Sequence, residues 1–194
     1  MRLVLGFLCA FSMAFAQDAG SIVGRWRSAE TSKGGIGAMY DFGADGTVQF
    51  SPGAIVSSPY RVAGNQLTVG SSEPLAFTLQ FEGDNRMRMT AFGTTEVLNR
   101  LGTKPNGASP LTGEWTTTRD MDGNKVLVHW IFGADSNALM MIRFKTDAGT
   151  YTLQNGRLVA RFGGQVGLDG PVVFGNGTVE IHRSGGRVTK LVRY

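Results

Sequence analysis

Cysteine, histidine and long apolar runs are scarce in this chain of 194 residues. The single cysteine, Cys9, lies near the N-terminus, so the rest of the chain has no thiol for disulfides, catalysis or metal binding. Charged residues make up 18% of the chain, and its net charge of +4 is spread without a basic cluster. This pattern gives no indication of a nucleic-acid-binding surface.

Motifs for enzymatic or cofactor chemistry are also lacking. There is no Gly-x-Ser-x-Gly motif and no Ser, His and Asp set that two halves of the chain could share. The two histidines, His129 and His182, are expected to be surface or rim residues. Glu180 shares a strand face with His182, but two candidate ligands do not make a metal site. The sequence therefore predicts a protein that is not an enzyme and holds no cofactor or metal.

The first residues have the pattern of a secretory signal peptide. A short positive start at Met1-Arg2 precedes an apolar run, and Ala14-Phe15-Ala16 has the small-x-small form of a cleavage site. The apolar run is too short for a stable membrane anchor. We expect residues 1–16 to be removed before Gln17, which gives a secreted or periplasmic protein without a membrane span.

Beyond the leader, apolar and polar residues alternate in short runs. This period of two is typical of antiparallel strands, and no run has helical spacing long enough to form an independent helix. Turn residues such as Gly64-Asn65 and Asp122-Gly123 separate the runs and tolerate positive φ angles. The sequence predicts an all-β fold, in which Thr47–Phe50 and Tyr60–Ala63 are separate strands.

The two halves of the chain repeat one another. Trp26 corresponds to Trp115, Phe42-Gly43-Ala44-Asp45 to Phe132-Gly133-Ala134-Asp135, and Tyr60 to Tyr151, at separations of 89 to 91 residues. An ordered series of this kind indicates an internal duplication. The predicted domains are residues 20–102 and 111–194, joined by a linker at 103–110 that is rich in Pro, Gly and polar residues. Eight short strands in each half favour a closed barrel, since closure removes exposed edges.

Each half opens with Gly-x-Trp, at Trp26 and Trp115, and ends on a strand that carries an arginine, Arg100 or Arg193. A barrel with these features resembles a lipocalin. The resemblance implies two tandem, short, eight-stranded antiparallel up-and-down barrels, each closed at one end by a tryptophan under an arginine. It implies that Trp26 meets Arg100 and that Trp115 meets Arg193. A guanidinium over an indole contributes about 1–2 kcal/mol when it is partly desolvated.

Bulky apolar side chains alternate toward the expected barrel interiors. They either line a pocket for a small apolar ligand or simply fill the barrels. The candidate ligand-facing residues are Tyr40, Phe42, Tyr60, Trp130, Phe132 and Tyr151.

Two functional hypotheses follow, and a third stays open. The first is a non-catalytic, exported binding protein whose barrels hold a small apolar ligand. The alternative is a protein-interaction or inhibitor module with filled barrels, which binds an envelope or extracellular protein through its loops or the groove between the domains. The third is an enzyme that uses a barrel mouth and collects Asp, Glu or His there. Interior volume separates the first two, because a drug-sized ligand needs a few hundred Å3.

Overall fold

The structure is a computed structural model that describes residues 21–194. These residues form fifteen strands and one 3-10 turn at Ser184–Gly186. The strands are β1 (Gly24–Ser28), β2 (Ile36–Phe42), β3 (Thr47–Ala63), β4 (Gln66–Val69), β5 (Leu75–Phe81), β6 (Arg86–Ala91), β7 (Thr94–Leu101), β8 (Gly113–Met121), β9 (Asn124–Phe132), β10 (Asn137–Arg143), β11 (Asp147–Gln154), β12 (Arg157–Phe162), β13 (Gln165–Phe174), β14 (Thr178–His182) and β15 (Val188–Arg193). The all-β prediction is confirmed, while the predicted signal peptide lies outside the described residues.

The strands form one antiparallel sheet that closes on itself twice. Pairing of β3 with β2 closes ring I, which consists of β1, β2, the first part of β3 and β11 to β15. Pairing of β10 with β3 closes ring II, which consists of the second part of β3 and β4 to β10. Each ring thus contains eight strands when β3 is counted in both. Closure gives every strand two neighbours and leaves no long unpaired edge.

Both rings combine strands from the two halves of the sequence. In ring I, β1 pairs with β15, and Trp26 lies opposite Arg193. In ring II, β3 pairs with β10 along seven consecutive residue pairs. This pairing differs from the expected tandem arrangement, in which residues 20–102 form one barrel and residues 111–194 the next. Alternation fixes which face a residue occupies but not which strand becomes its partner, and two similar halves offer similar edges.

The predicted linker at 103–110 connects neighbouring strands of a single ring. It joins β7 to β8, which pair directly with Arg100 opposite Trp115. Lys104 in this segment forms an ion pair with Asp84 at 2.7 Å, and Arg100 Nε donates to the Asp84 carbonyl at 2.7 Å. The segment is therefore a loop held against one end of ring II.

The passage between the rings is made by β3 itself. Residues 47–63 form one strand of 17 residues, where the sequence predicted two separate strands, Thr47–Phe50 and Tyr60–Ala63. Gly53 is required by packing: a Cβ atom there would overlap the carbonyl oxygen of Ile142 and lie 2.7 Å from Cε of Met39. Gly53 therefore lies where the backbones of β3 and β10 leave no room for a side chain.

Three groups of buried apolar side chains hold the fold together. Ring I encloses one cluster and ring II another. A third, smaller cluster lies where the outer faces of the rings meet and contains Met39, Ile55 and Met141. Met39 and Met141 have no exposed surface, and burial of such a side chain contributes about 1.5–3 kcal/mol. The two rings therefore share an apolar interface in addition to the shared strand.

Candidate functional site

Each ring is closed at one end by a tryptophan under an arginine. The guanidinium carbon of Arg193 lies 4.5 Å from the ring centre of Trp26, and that of Arg100 lies 4.1 Å from the ring centre of Trp115. The expected partners, Trp26 with Arg100 and Trp115 with Arg193, were wrong. The partners are exchanged because β1 pairs with β15 and β7 pairs with β8.

The arginines also explain the glycine of the Gly-x-Trp motif. Gly24 and Gly113 have φ angles of +126° and +122°, and a Cβ atom on either would lie 2.5 or 2.6 Å from Nη1 of the covering arginine. The guanidinium of Arg193 donates to the carbonyl oxygens of Ser21 and Val23, both at 3.0 Å. The motif thus lets an arginine from another strand bind the chain just before the tryptophan.

Ring II encloses a cavity of about 590 Å3. Every strand of ring II contributes to its lining, and its mouth lies at the turns after β4, β6 and β8. This mouth is at the end of ring II away from Trp115 and Arg100, neither of which lines the cavity. The apolar wall includes Val56, Val69, Phe77, Met89, Trp130 and Met140.

Only one of the six candidate ligand-facing residues lines this cavity, namely Trp130. The other five do not line it. The hydroxyl groups of Tyr60 and Tyr151 donate to the carbonyl oxygens of Gly133 and Gly43, at 2.8 and 2.7 Å. Tyr40, Phe42 and Phe132 are buried in the ring cores, at 7%, 3% and 1% exposure.

Aromatic side chains fill the interior of ring I. The ring of Phe50 lies 5.3 Å from that of Tyr40 and 5.4 Å from that of Phe162. Phe162 fits against two glycines: Cβ atoms on Gly149 and Gly167 would lie 2.7 and 2.6 Å from its ring atoms. By sequence correspondence, Phe50 takes the position in ring I that Met140 takes in ring II. Ring II thus has a flexible methionine at the position where ring I has an aromatic ring.

Ionisable side chains surround the mouth of the cavity. Glu96 accepts hydrogen bonds from Nε and Nη2 of Arg119, at 2.5 and 3.0 Å. Asp120 accepts a hydrogen bond from the Gly123 amide at 2.9 Å, which supports the turn after β8. Glu73 is exposed and completes the set. The cavity lining thus carries three carboxylates and one guanidinium, so its charge is opposite in sign to the net +4 of the chain.

Phe92 borders the same mouth in an unusual conformation. Its side chain is 88% exposed, and its φ angle is 50°. It forms the two-residue turn Phe92-Gly93 between β6 and β7, where Ala91 pairs with Thr94. Sequence reasoning did not single out Phe92. A glycine in a turn predicts the hairpin, but it does not predict that the neighbouring residue exposes an aromatic side chain.

A second polar cluster lies between the outer faces of the two rings. Glu114 binds Arg25 through both carboxylate oxygens, at 2.8 and 2.6 Å, and thereby joins β8 to β1. Arg143 forms an ion pair with Asp41 at 2.8 Å and donates to the Tyr194 hydroxyl at 2.7 Å. The hydrogen bond from Arg25 holds the pKa of Glu114 below its ordinary value, while burial raises the pKa of Tyr194 to about 12. The cluster fixes the two rings against each other by charge pairs.

His129 belongs to this cluster. It is 4% exposed, so the expectation of a surface or rim histidine was wrong. Its Nε2 lies 3.2 Å from Glu114 Oε2, close enough for an ion pair but poorly aligned as a hydrogen bond. Burial lowers the pKa of His129, and the neighbouring Glu114 opposes that change only in part. His182, in contrast, has an exposed side chain.

No family model, curated protein or solved structure matches this chain. Among residues 21–194, no group of three or more His, Cys, Asp or Glu side chains is arranged to hold a metal ion. The same residues contain no helix that is both long and apolar enough to cross a membrane.

Proposed function

We propose that this protein is a non-catalytic, exported protein of two fused lipocalin-like barrels, and that ring II binds a small apolar ligand. The observation that carries this proposal is the cavity of about 590 Å3 in ring II. Small-molecule sites usually have volumes of about 300–1,000 Å3, so the space suits one drug-sized molecule.

The chemistry of the wall supports an apolar ligand. Phe77 and Trp130 offer flat apolar surfaces, while Met89 and Met140 offer flexible ones. Each methylene group that a ligand buries there contributes about 0.8 kcal/mol. The charged side chains lie at the mouth, where a polar end of the ligand can stay in water.

The two ring closures support the lipocalin-like assignment. With β3 counted in both, each ring has eight antiparallel strands and one Trp–Arg stack, although the stacked partners differ from those that the resemblance implies. We also infer that the two halves arose by duplication, because their details match. The bond from Tyr60 to Gly133 has a counterpart from Tyr151 to Gly43, with nearly equal lengths of 2.8 and 2.7 Å.

The two rings have different interiors, and we assign them different roles. Ring I, packed by Phe50 and Phe162, has the filled interior that the protein-interaction hypothesis requires. Ring II has room for a ligand. Because of this cavity, we favour ligand binding over a role as a protein-interaction module. Ring I would then serve as the rigid support of ring II.

Export is proposed from the sequence of residues 1–16 alone. The full chain, expressed in a bacterial host with an export pathway, should appear outside the cytoplasm with Gln17 as its first residue. Mass spectrometry of the intact protein checks this directly. A protein that retains Met1 and stays in the cytoplasm would contradict export without bearing on the cavity.

Ligand binding is tested by titration with the apolar fluorophore N-phenyl-1-naphthylamine. We expect saturable uptake at one site per chain, with enhanced fluorescence. Native mass spectrometry of the protein as purified should also show any ligand that it carries from the host. Absence of saturable uptake would contradict the proposal.

Two matched variants locate the binding site. Ala91 lines the mouth of the cavity, whereas Ala76 is exposed on β5 and does not line it. Ala91→Phe should reduce fluorophore affinity at least ten-fold, because the added ring occupies the entrance. Ala76→Phe adds the same group on the outside and should leave the affinity unchanged. Equal affinities for both variants would mean that the fluorophore binds elsewhere.

A further inference from the structure

Phe92 is the most exposed of the large apolar side chains in the described residues, at 88%. It nevertheless belongs to the lining of the cavity in ring II, so its ring stands at the edge of the mouth. A single exposed aromatic residue needs no explanation by itself. Its backbone conformation does need one.

Phe92 adopts the left-handed conformation, with φ at 50°. The other described non-glycine residues with positive φ are Asp122, Ser136 and Asn155. These three are small and polar, and Asp and Asn are the types that tolerate this conformation best. Phe92 is the exception: a bulky side chain at a position where Asn or Gly would be less strained.

The strain brings no visible packing benefit to the fold, because the Phe92 ring lies largely in water. Backbone strain of this kind is often retained where it serves binding. The tip of the β6–β7 hairpin, Phe92-Gly93, places an aromatic ring at the opening, while Trp130 lies in the wall of the same cavity. A ligand that extends from Trp130 to the mouth would cover the exposed ring.

We propose that Phe92 is a ligand-contacting residue, and that ring II takes an elongated apolar molecule whose outer end packs on Phe92. This inference rests on the proposed function and deepens it, since it selects long ligands over compact ones. A short ligand stays inside the cavity and never reaches the turn. A long ligand buries the Phe92 ring, and its affinity then depends on that side chain.

The test uses straight-chain alcohols from 1-hexanol to 1-dodecanol, which carry no charge that could interact with the mouth. Their affinities are measured by displacement of N-phenyl-1-naphthylamine from the wild-type protein and from Phe92→Asn. In the wild type, each added methylene should tighten binding by roughly four-fold. Phe92→Asn should match the wild type for the shortest alcohols and fall behind by about five- to ten-fold for the longest.

The outcomes distinguish the inference from the function on which it rests. If the wild type takes up neither the fluorophore nor any alcohol, the proposed function fails and the inference with it. If the wild type binds the series but Phe92→Asn follows the same length dependence, the inference alone is overturned. Phe144→Asn is the control, because Phe144 is also exposed, at 46%, but does not line the cavity. It should leave the whole series unchanged.

A stability readout tests the strain itself. Phe92→Asn should raise Tm by about 2–4 °C, since asparagine accepts the left-handed conformation. Asn155→Phe places the bulky residue in a comparable turn of ring I, where φ is 51°, and should lower Tm by a similar amount. Opposite changes in stability and in long-chain affinity support a binding role for Phe92. A lower Tm for Phe92→Asn would mean that the side chain stabilises the turn, and would overturn the strain argument.

Discussion

The guanidinium of Arg193, on the last strand, lies 4.5 Å from the ring centre of Trp26, on the first described strand. The lipocalin resemblance implied Arg100 as the partner of Trp26, whereas the observed contact joins strands from both halves of the chain in ring I. We expect a double-mutant cycle of Trp26→Phe with Arg193→Met to give a coupling energy of about 1 kcal/mol, measured by urea unfolding.

The pair that the resemblance implied, Trp26 with Arg100, supplies the control. Trp26→Phe combined with Arg100→Met should be additive within about 0.5 kcal/mol, since these residues belong to different rings. Coupling between Trp26 and Arg100, with none between Trp26 and Arg193, would restore the tandem arrangement of two separate barrels and contradict the fold described above.

Sequence reasoning predicted most strands and turns, but it divided β3 into two strands and did not predict which strands pair. The alternation of apolar residues and the turn residues were sufficient for elements such as the Asp122-Gly123 hairpin. Partner choice depends on contacts between distant strands, which a period of two does not encode. The burial of His129 was missed for a related reason: it lies on the outer face of ring II, which is covered by ring I.

Gly53 should be essential for the crossing of β3 between the rings. A methyl group at this position would overlap the Ile142 carbonyl oxygen, so the strands must move apart. We expect Gly53→Ala to lower the free energy of unfolding by about 2–4 kcal/mol, as overpacking at a rigid backbone contact does. Gly34→Ala is the control, because a Cβ there would have only the Ser32 hydroxyl oxygen nearby, at 3.9 Å, and it should be near neutral. A neutral Gly53→Ala would contradict the close approach.

Stability should fall in two steps as pH is lowered. His129 has a pKa below its ordinary 6.5 because of burial, so the unfolded chain takes up a proton first. Stability therefore decreases as pH falls through about 6.5. Glu114 has a pKa below its ordinary 4.5 because of its hydrogen bonds with Arg25. Its contribution is complete above that value and is lost as pH falls further.

Single variants separate the two steps, with urea unfolding measured from pH 8 to pH 3. His129→Gln should remove the decrease near pH 6.5. Glu114→Gln should cost about 1–2 kcal/mol at pH 7, and its difference from the wild type should shrink below pH 4.5. The positive charges of Arg25 and Arg143 act in the same direction as burial, because they also lower the pKa of His129. A wild-type stability that stays constant from pH 8 to pH 5 would contradict the buried, neutral histidine.

The mouth of ring II should prefer a cationic head group. Glu73 and Asp120 have no ion-pair partner among residues 21–194, whereas Glu96 and Arg119 bind each other. We expect dodecylammonium to bind about ten-fold more tightly than dodecanoate at low salt, with a smaller ratio at high salt. Glu73→Gln with Asp120→Asn should remove most of this preference. Glu180→Gln, in ring I, should keep it. Tighter binding of dodecanoate would show that Arg119 governs the mouth instead.

The cavity could not be predicted from the residues that form it. Phe50 and Met140 occupy corresponding positions in the two halves of the sequence, and both are bulky apolar residues that face a ring interior. Whether such side chains fill a ring depends on how they pack, as the fit of Phe162 against Gly149 and Gly167 shows. Neither the composition of the sequence nor the alternation of its apolar residues indicates how much empty volume remains inside a ring.

The most direct test of the account follows methionine methyl groups by NMR during titration with 1-dodecanol. Met89 on β6 and Met140 on β10 come from different halves of the chain but line one cavity. Met39 and Met141 lie in the apolar interface between the rings. We predict that the signals of Met89 and Met140 shift together with one dissociation constant, while those of Met39 and Met141 stay in place. Shifts confined to the interface pair, or a response of Met89 without Met140, would contradict a single ligand cavity built from both halves of the chain.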